Sequence, residues 1–171
     1  MAKEIERKFL VREGWQPEGE GDYIAQGYLS ATETAAVRIR IRKGRGYLTV
    51  KSNVSGVTRL EYEYEVPLAD AQEMLKLCRG SLIEKHRYLL PAGGGRQWEV
   101  DVFHGDNEGL RVAEIELSSE EEEFARPWWL GEEVSTDARY FNCNLAKNPY
   151  KKFLSSVRTN AIINADEKID V

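Results

Sequence analysis

Apolar and charged side chains alternate along most of the first 118 residues, with the period of two that is typical of β-strands. Between residues 35 and 43, for example, three aliphatic residues alternate with three arginines. Glycine-containing turns such as Gly44–Gly46 join neighbouring strands as hairpins. The pattern predicts eight strands, over residues 1–10, 22–30, 35–43, 47–53, 57–66, 82–90, 97–103 and 110–118.

Helical spacing appears after Pro67, where residues 68–79 are predicted to form a helix that stops at Gly80. The tail is patterned differently. It predicts an acidic helix start at 119–126, a loop anchored at Pro127–Trp129, a helix at 137–147 that continues over 150–157, and an interface or loose segment at 160–171. The expected fold is α+β and mainly β, namely an eight-stranded closed antiparallel barrel with helices packed outside it. We expect a single domain over 1–171, with the barrel at about 3–118 and a helical C-terminal segment at about 119–171.

Nearly every predicted strand carries one face of full charges and one apolar face. Two arrangements satisfy this pattern, because the charged faces either meet water outside the barrel or line its lumen. A charged lumen is costly unless ligands balance it, since each unpaired buried charge costs several kcal/mol. Divalent cations would balance the carboxylates and a polyanion would balance the bases. We favour the lined lumen, because the apolar faces then lie outside, where the helices dock.

Composition excludes several classes of function. The net charge of −5 argues against a nucleic-acid or membrane-surface protein, and no apolar run is long enough to span a bilayer. The N-terminus has no secretory pattern, and the two cysteines favour a reducing cytoplasm. His86 and His104 are too few for a histidine-based metal site. Oxygen ligands therefore predict Mg²⁺, Mn²⁺ or Ca²⁺ as the metal.

The N-terminal motif Glu4-x-Glu6-x-Lys8 resembles the signature of the CYTH superfamily, the triphosphate tunnel metalloenzymes. Six further segments follow in the order of that family: Val37–Arg40, Thr49–Lys51, Glu61–Glu63, Glu84–Tyr88, Glu99–Asp101 and Glu114–Glu116. One such motif is weak, but the ordered set is specific. The resemblance covers residues 3 to about 150. It implies an eight-stranded closed antiparallel barrel whose tunnel binds a triphosphate and a divalent metal.

The resemblance also implies roles for individual residues. The metal ligands for Mg²⁺ or Mn²⁺ would be Glu4, Glu6 and Glu116. The phosphate clamp would be Lys8, Arg38, Arg40, Lys51, Lys85 and Arg87. Residues that orient the clamp or hold a second metal would be Glu61, Glu63, Glu99, Asp101 and Glu114.

Lys8 and Tyr28 are the candidate catalytic pair, because Gln26–Leu29 matches a segment that accompanies the signature lysine in short bacterial members. Basic neighbours are expected to lower the pKa of Lys8, and a hydrogen bond to Tyr28 would fix its position. Alternatively, Tyr28 is an ordinary tyrosine of an amphipathic strand. Arg139–Tyr140 also matches the short members, but a helix docked on the barrel is the favoured interpretation of that segment.

By resemblance, we expect hydrolysis of the terminal phosphate of inorganic tripolyphosphate. The alternatives are a class IV-type adenylate cyclase, a nucleoside or thiamine triphosphatase, and a non-catalytic polyphosphate-binding module. The expected partner is a small-molecule triphosphate, with no nucleic acid or membrane. The sequence is also compatible with a homodimer, because the apolar residues of the C-terminal segment have no evident place in the barrel.

Overall fold

The computed structural model describes residues 3–53 and 56–154. The strands are β1 Lys3–Val11, β2 Asp22–Ala31, β3 Ala35–Arg42, β4 Arg45–Ser52, β5 Thr58–Val66, β6 Arg79–Gly93, β7 Arg96–Phe103, β8 Arg111–Glu116 and β9 Leu130–Glu133. The helices are α1 Leu68–Lys76 and α2 Asn142–Leu145, with 3-10 turns at Gly105–Asn107 and Ala138–Tyr140. Across these residues, no helix is both long enough and apolar enough to cross a bilayer.

The sheet closes on itself. Its strand order is β5-β4-β3-β2-β6-β7-β8-β1, and β1 also pairs with β5. All of these pairings are antiparallel, and the closing one is short, running from Lys3 opposite Leu60 to Ile5 opposite Thr58. The predicted eight-stranded closed antiparallel barrel is therefore confirmed. A ninth strand, β9, pairs with β1 and was not predicted.

The hairpin between β3 and β4 fixes which side chains enter the barrel. Arg42 lies opposite Arg45, so the turn consists of Lys43 and Gly44 rather than Gly44–Gly46. Both turn residues have positive φ, 51° and 69°, as a two-residue hairpin turn that follows the strand twist requires. In this register Arg38 lies opposite Thr49, and both are buried.

The main apolar core lies against the outer wall of the barrel, around Trp98. The Trp98 ring makes edge-to-face contacts with Phe9 at 5.8 Å and with Trp129 at 5.5 Å between ring centroids. Trp15 and Phe124 complete this cluster from the loops. The outward faces of β1 and β7 are therefore covered by aromatic side chains, and their inward faces are left for charges.

A second apolar cluster closes one end of the lumen. Ile83 and Phe103 contribute to it, and each lies two residues from a buried charged residue on its own strand, Lys85 and Asp101. Leu145 of α2 joins the same cluster. Helix α2 therefore covers the end of the barrel, whereas α1 packs against the outside of β2, β3 and β4.

The helix predicted over 68–79 is shorter in the structure, because α1 ends at Lys76 and Arg79 already belongs to β6. Gly80 adopts a φ of 73° within that strand, against the backbone of Ala146, which only glycine tolerates. Glycine at position 80 is therefore required by a close backbone contact and does not end a helix.

The predicted helix at 119–126 is wrong, because the chain forms a turn there, followed by a segment without regular secondary structure. The carboxylate of Glu122 accepts from the Ser118 amide and pairs with Arg96, while Phe124 packs in the aromatic cluster. Tertiary contacts thus replace the helical hydrogen bonds. With β9 in addition, the stretch from 119 onwards is not uniformly helical.

The helix predicted over 137–147 is interrupted at Phe141, whose φ of −70° and ψ of 132° are extended. The interruption separates the 3-10 turn from α2. Residues 150–154 are helical, and the predicted continuation to 157 and the segment 160–171 lie outside the described residues. The assignment of the whole chain to one domain stays a prediction.

Trp98→Ala should lower the free energy of unfolding by about 3–5 kcal/mol, because the side chain is 1% exposed and the cavity it leaves has rigid aromatic walls. Urea titration followed by circular dichroism measures this change. The matched control is Trp128→Ala, since Trp128 is 65% exposed and its loss should change stability by less than about 0.5 kcal/mol. Equal losses in the two variants would contradict this description of the core.

Candidate functional site

The barrel encloses a cavity of about 970 Å³, which is large enough for a small polyanion with metal ions. Its wall carries all but one of the residues predicted from the sequence: Glu4, Glu6, Lys8, Tyr28, Arg38, Arg40, Lys51, Glu61, Glu63, Lys85, Arg87, Glu99, Glu114 and Glu116. The exception is Asp101, which lies behind the wall and is 1% exposed. The charged faces therefore meet inside the barrel, as the lined-lumen arrangement predicted.

The predicted metal ligands lie along β1 and β8, where Glu6 is directly opposite Glu116. Burial, together with the nearby carboxylates of Glu114 and Glu4, raises the pKa of Glu6 to about 8. Burial and neighbouring carboxylates also raise the pKa of Glu116. This side of the lumen therefore crowds carboxyl groups that its own bases do not fully ionise, which favours a cation.

Glu4 is in a different state. Its carboxylate is 2.8 Å from Arg59 Nε and 3.3 Å from Lys51 Nζ. Burial alone would raise its pKa, but these two cations outweigh burial and hold the pKa at about 2. Glu4 is therefore ionised, and it would exchange ion-pair partners on binding a metal.

The ammonium of Lys8 is buried at the inner end of the charged region. It lies 3.1 Å from Glu114 Oε1 and donates to the backbone oxygen of Tyr140 at 3.4 Å. Burial lowers its pKa, but the carboxylates of Glu114 and Glu6 outweigh burial, so the net shift is upward. The expected lowering of the Lys8 pKa is therefore wrong, because acids rather than bases are its nearest charged neighbours.

Tyr28 lines the same cavity, and burial raises the pKa of its phenol. Its hydroxyl stays protonated and available as a donor. The hydrogen bond expected between Lys8 and Tyr28 is not formed in the described part of the chain, where Lys8 Nζ donates to Tyr140 instead. Both side chains line the same cavity, with no hydrogen bond between them among the described residues.

The opposite wall carries the bases. Asp101 accepts from Lys85 Nζ at 2.6 Å and from Arg87 Nε at 2.7 Å. Even so, the pKa of Lys85 falls to about 7, because burial and repulsion by Arg87 and Arg40 exceed the attraction of Asp101. Burial, with repulsion from Arg38 and Arg87, likewise lowers the pKa of Arg40 to about 9. This side of the lumen has more positive charge than its acids neutralise.

Two buried donors that line the cavity have no acceptor within residues 3–53 and 56–154, namely Arg38 Nε and Arg42 Nε. Buried N–H groups almost always have a partner, so unpaired guanidinium donors beside a cavity indicate a bound anion. Phosphate oxygens fit such donors in geometry and in charge.

The remaining acids each pair with a base of the predicted clamp. Glu61 lies 2.9 Å from Lys51, Glu63 lies 3.4 Å from Arg38, and Glu99 pairs with Arg87. Asp101 and Glu114 are paired in the same way with Lys85 and Lys8. These contacts favour an orienting role for the five acids over a second metal site.

Comparison with known proteins agrees with this geometry. Residues 2–148 match the family described as the CYTH domain. The chain belongs to the CYTH family.

Two CYTH relatives share much of the sequence. The chain is 48% identical over 155 residues to an inorganic triphosphatase of Acetivibrio thermocellus, a match covering 90% of this chain and 99% of that protein. It is 37% identical over 148 residues to an inorganic triphosphatase of Nitrosomonas europaea, covering 84% and 96%. A crystal structure described as an inorganic triphosphatase superimposes with a TM-score of 0.61 at 36% identity, covering 85% of this chain and 95% of that one.

Membership of the CYTH family implies that the lumen binds a metal ion. Among the residues that the structure describes, no three His, Cys, Asp or Glu side chains are gathered into a ready-made metal centre. The chemistry of the donors nevertheless fits a hard cation. Carboxylates are the ligands that Mg²⁺ and Mn²⁺ prefer, and the pKa values of Glu6 and Glu116 are raised by burial and by repulsion from neighbouring carboxylates.

Sequence reasoning missed several residues of the CYTH lumen. Arg59 contacts Glu4, and the alternation that identified Glu61 and Glu63 on β5 also places Arg59 on their face. Arg42 continues the alternation of Arg38 and Arg40 on β3, lines the cavity and pairs with Asp22 at 2.6 Å. Neither the buried Gln26 nor Asn142 is charged, so the charge pattern gave no signal for them.

Binding of a polyanion should protonate Lys85. At pH 8 a lysine with a pKa of about 7 is mostly neutral, and an adjacent phosphate restores its charge, so binding should take up about one proton at this site. Titration calorimetry of tripolyphosphate, with a chelator present and in two buffers of different ionisation enthalpy, measures the uptake. Lys85→Met should remove this proton. Lys43→Met, at a lysine whose side chain is 65% exposed, should not.

Proposed function

We propose that this protein hydrolyses inorganic tripolyphosphate to pyrophosphate and phosphate in its barrel lumen, with Mg²⁺ or Mn²⁺ as the metal. The observation that carries the proposal is the separation of charge within one enclosed cavity. One wall holds carboxylates of raised pKa, and the other holds bases of lowered pKa and unpaired arginine donors. The two relatives named inorganic triphosphatase support the same reaction.

In this proposal the bases bind the phosphate chain. Arg38, Arg40 and Arg87 offer guanidinium forks to the equatorial oxygens, and Lys51 and Lys85 add point charges. Carboxylate partners hold four of these bases in place before substrate arrives, and the Gln26 oxygen accepts from Arg40, so little reorganisation accompanies binding. The resulting positive wall neutralises the charge of the phosphate chain.

Glu4, Glu6 and Glu116 would hold the metal, and Arg59 would release Glu4 for this role. A bound Mg²⁺ or Mn²⁺ supplies charge neutralisation and lowers the pKa of coordinated water. Lys8, held by Glu114, presents an ammonium to the reacting phosphate, and the protonated Tyr28 phenol offers a hydrogen bond nearby. Both groups would stabilise negative charge in the transition state.

The cavity wall favours an inorganic substrate over a nucleotide. Its aromatic residues are Tyr28 and Phe141 among the described positions, and most of the other lining side chains are charged or small. A nucleobase would need an apolar or stacking surface to offset its desolvation. The described part of the lumen therefore has groups that would bind the triphosphate of a ligand but no surface that would bind a nucleobase.

A substrate panel tests the reaction. Tripolyphosphate, pyrophosphate, ATP and thiamine triphosphate would each be incubated with Mg²⁺ or Mn²⁺, and phosphate, pyrophosphate and cyclic AMP measured. We expect the highest kcat/KM with tripolyphosphate, giving equal amounts of phosphate and pyrophosphate. Cyclic AMP from ATP would instead identify a cyclase. Binding without turnover of any compound would identify a polyphosphate-binding module.

Lys8→Ala should lower kcat for tripolyphosphate by at least about 10²-fold, which is typical for loss of one charge-stabilising group. The expected mechanism is lost stabilisation of the transition state, so steady-state kinetics should show a smaller change in KM than in kcat. Lys43→Ala removes an exposed lysine of the β3–β4 turn and should leave both constants unchanged. A wild-type kcat in Lys8→Ala would remove Lys8 from the mechanism.

Glu116→Gln should raise the Mg²⁺ or Mn²⁺ concentration that gives half-maximal activity by at least about tenfold, because an anionic ligand becomes neutral. Activity is measured against metal concentration at saturating tripolyphosphate. Glu133→Gln, which alters an ion pair with Arg7 outside the lumen, is the control and should leave the metal dependence unchanged. An unchanged metal requirement in Glu116→Gln would exclude Glu116 as a ligand.

The proposal includes a cytoplasmic location, which the free thiols of Cys78 and Cys143 support. A homodimer also stays a proposal. The apolar residues that motivate it belong to the C-terminal segment outside the described residues.

A further inference from the structure

The C-terminal segment does more than cover the end of the barrel, because polar atoms of its turn and of α2 reach into the charged lumen. Asn142 Oδ1 lies 3.3 Å from Lys85 Nζ and 3.2 Å from Gln26 Nε2, and both of these nitrogens donate to it. Lys85 and Gln26 are 1% and 0% exposed. A single neutral oxygen on α2 therefore bonds two buried groups of the barrel wall.

Gln26 extends this contact to a second base. Its Oε1 accepts from Arg40 Nε at 2.9 Å, while its Nε2 donates to Asn142. A glutamine amide has one acceptor end and one donor end. Because Asn142 takes the donor end, the acceptor end faces Arg40. Without that oxygen, the Gln26 amide loses the acceptor of its donor end, and among the described residues only the hydrogen bond from Arg40 Nε still holds its orientation.

We propose that Asn142 is a positioning residue that orients Lys85 directly, and Arg40 through Gln26, for the phosphate chain. This inference rests on the proposed function. Docking of α2 and alignment of these two bases then occur together. The segment that closes the lumen thereby sets the geometry of the phosphate clamp.

The packing role of α2 belongs to other side chains. Leu145 and Ala146 lie in the apolar cluster at the end of the barrel, and Asn142 is not a member of it. Asn144 bonds within its own segment, donating from Nδ2 to the Ala138 oxygen at 2.7 Å. Removing the Asn142 amide should therefore leave α2 docked. The matched control is Asn144→Ala, which removes a hydrogen bond within the segment without removing a bond to Lys85 or Gln26.

The test is equilibrium binding of inorganic tripolyphosphate by titration calorimetry in the presence of a chelator, so that no turnover occurs. Asn142→Ala should raise the dissociation constant about tenfold, in the range expected when a hydrogen bond to a charged group is lost. Asn144→Ala should change it less than about twofold. Both variants should unfold thermally close to the wild type.

A double-mutant cycle separates positioning from a general structural effect. Asn142→Ala is combined with Lys85→Met and, separately, with Gln26→Leu, and each pair is compared with its single variants. If Asn142 acts through these partners, its effect on the dissociation constant should shrink to less than about threefold in each background. A dissociation constant unchanged in Asn142→Ala, or a tenfold effect undiminished in both backgrounds, would overturn the inference.

Failure of the inference and failure of the proposed function give different results. If the wild type and Asn142→Ala bind tripolyphosphate with the same dissociation constant, only the positioning role is overturned. A wild type that binds but does not hydrolyse would overturn the proposed reaction while the binding cycle still supports Asn142. A wild type that does not bind tripolyphosphate would overturn both.

Discussion

The structure depends on mutual neutralisation of buried charges inside a closed barrel. Asp101 illustrates the constraint, since a carboxylate that is 1% exposed is stable only because Lys85 and Arg87 both bond it. Removing one member of such a set leaves an uncompensated charge, which costs about 3–5 kcal/mol. The ion pairs therefore hold each lumen residue in a defined position, but they contribute little net stability of their own.

Apolar stabilisation comes from the other side of the wall. With charges facing inward, the hydrophobic surface of the strands is covered by Trp15, Trp129 and Phe124 from outside and by Leu145 and Phe153 at one end. Each strand thus contributes one face to stability and the opposite face to the site. This division explains why the sequence alternates so regularly, since a shift in register of one residue would exchange the two faces.

Alternation was also what made the fold and most of the site predictable. Glu6, Arg40 and Lys85 follow a period that only a strand satisfies, and the backbone geometry then fixes their direction. Contacts across the barrel were not predictable in this way. The pKa of Lys8, for example, was wrongly expected to fall. Glu114, which raises it, lies 106 positions away in the sequence, and only the pairing of β1 with β8 brings the two charges to 3.1 Å. The segment at 119–126 and Asn142 depend on tertiary partners that no local pattern encodes.

The lumen contains both acids and bases, but the carboxyl groups of raised pKa and the bases of lowered pKa lie on different walls. Glu6 with a pKa of about 8 and Lys85 with a pKa of about 7 are both held away from their charged forms by burial and by neighbouring groups of like charge. A bound cation would favour the ionised form of Glu6, and a bound anion would favour the charged form of Lys85. A simple cation or a simple anion would relieve one wall and leave the other strained. A metal–polyphosphate complex carries both signs at molecular spacing, and under the proposed function this complementarity is the physical reason that a closed barrel of this kind would select it.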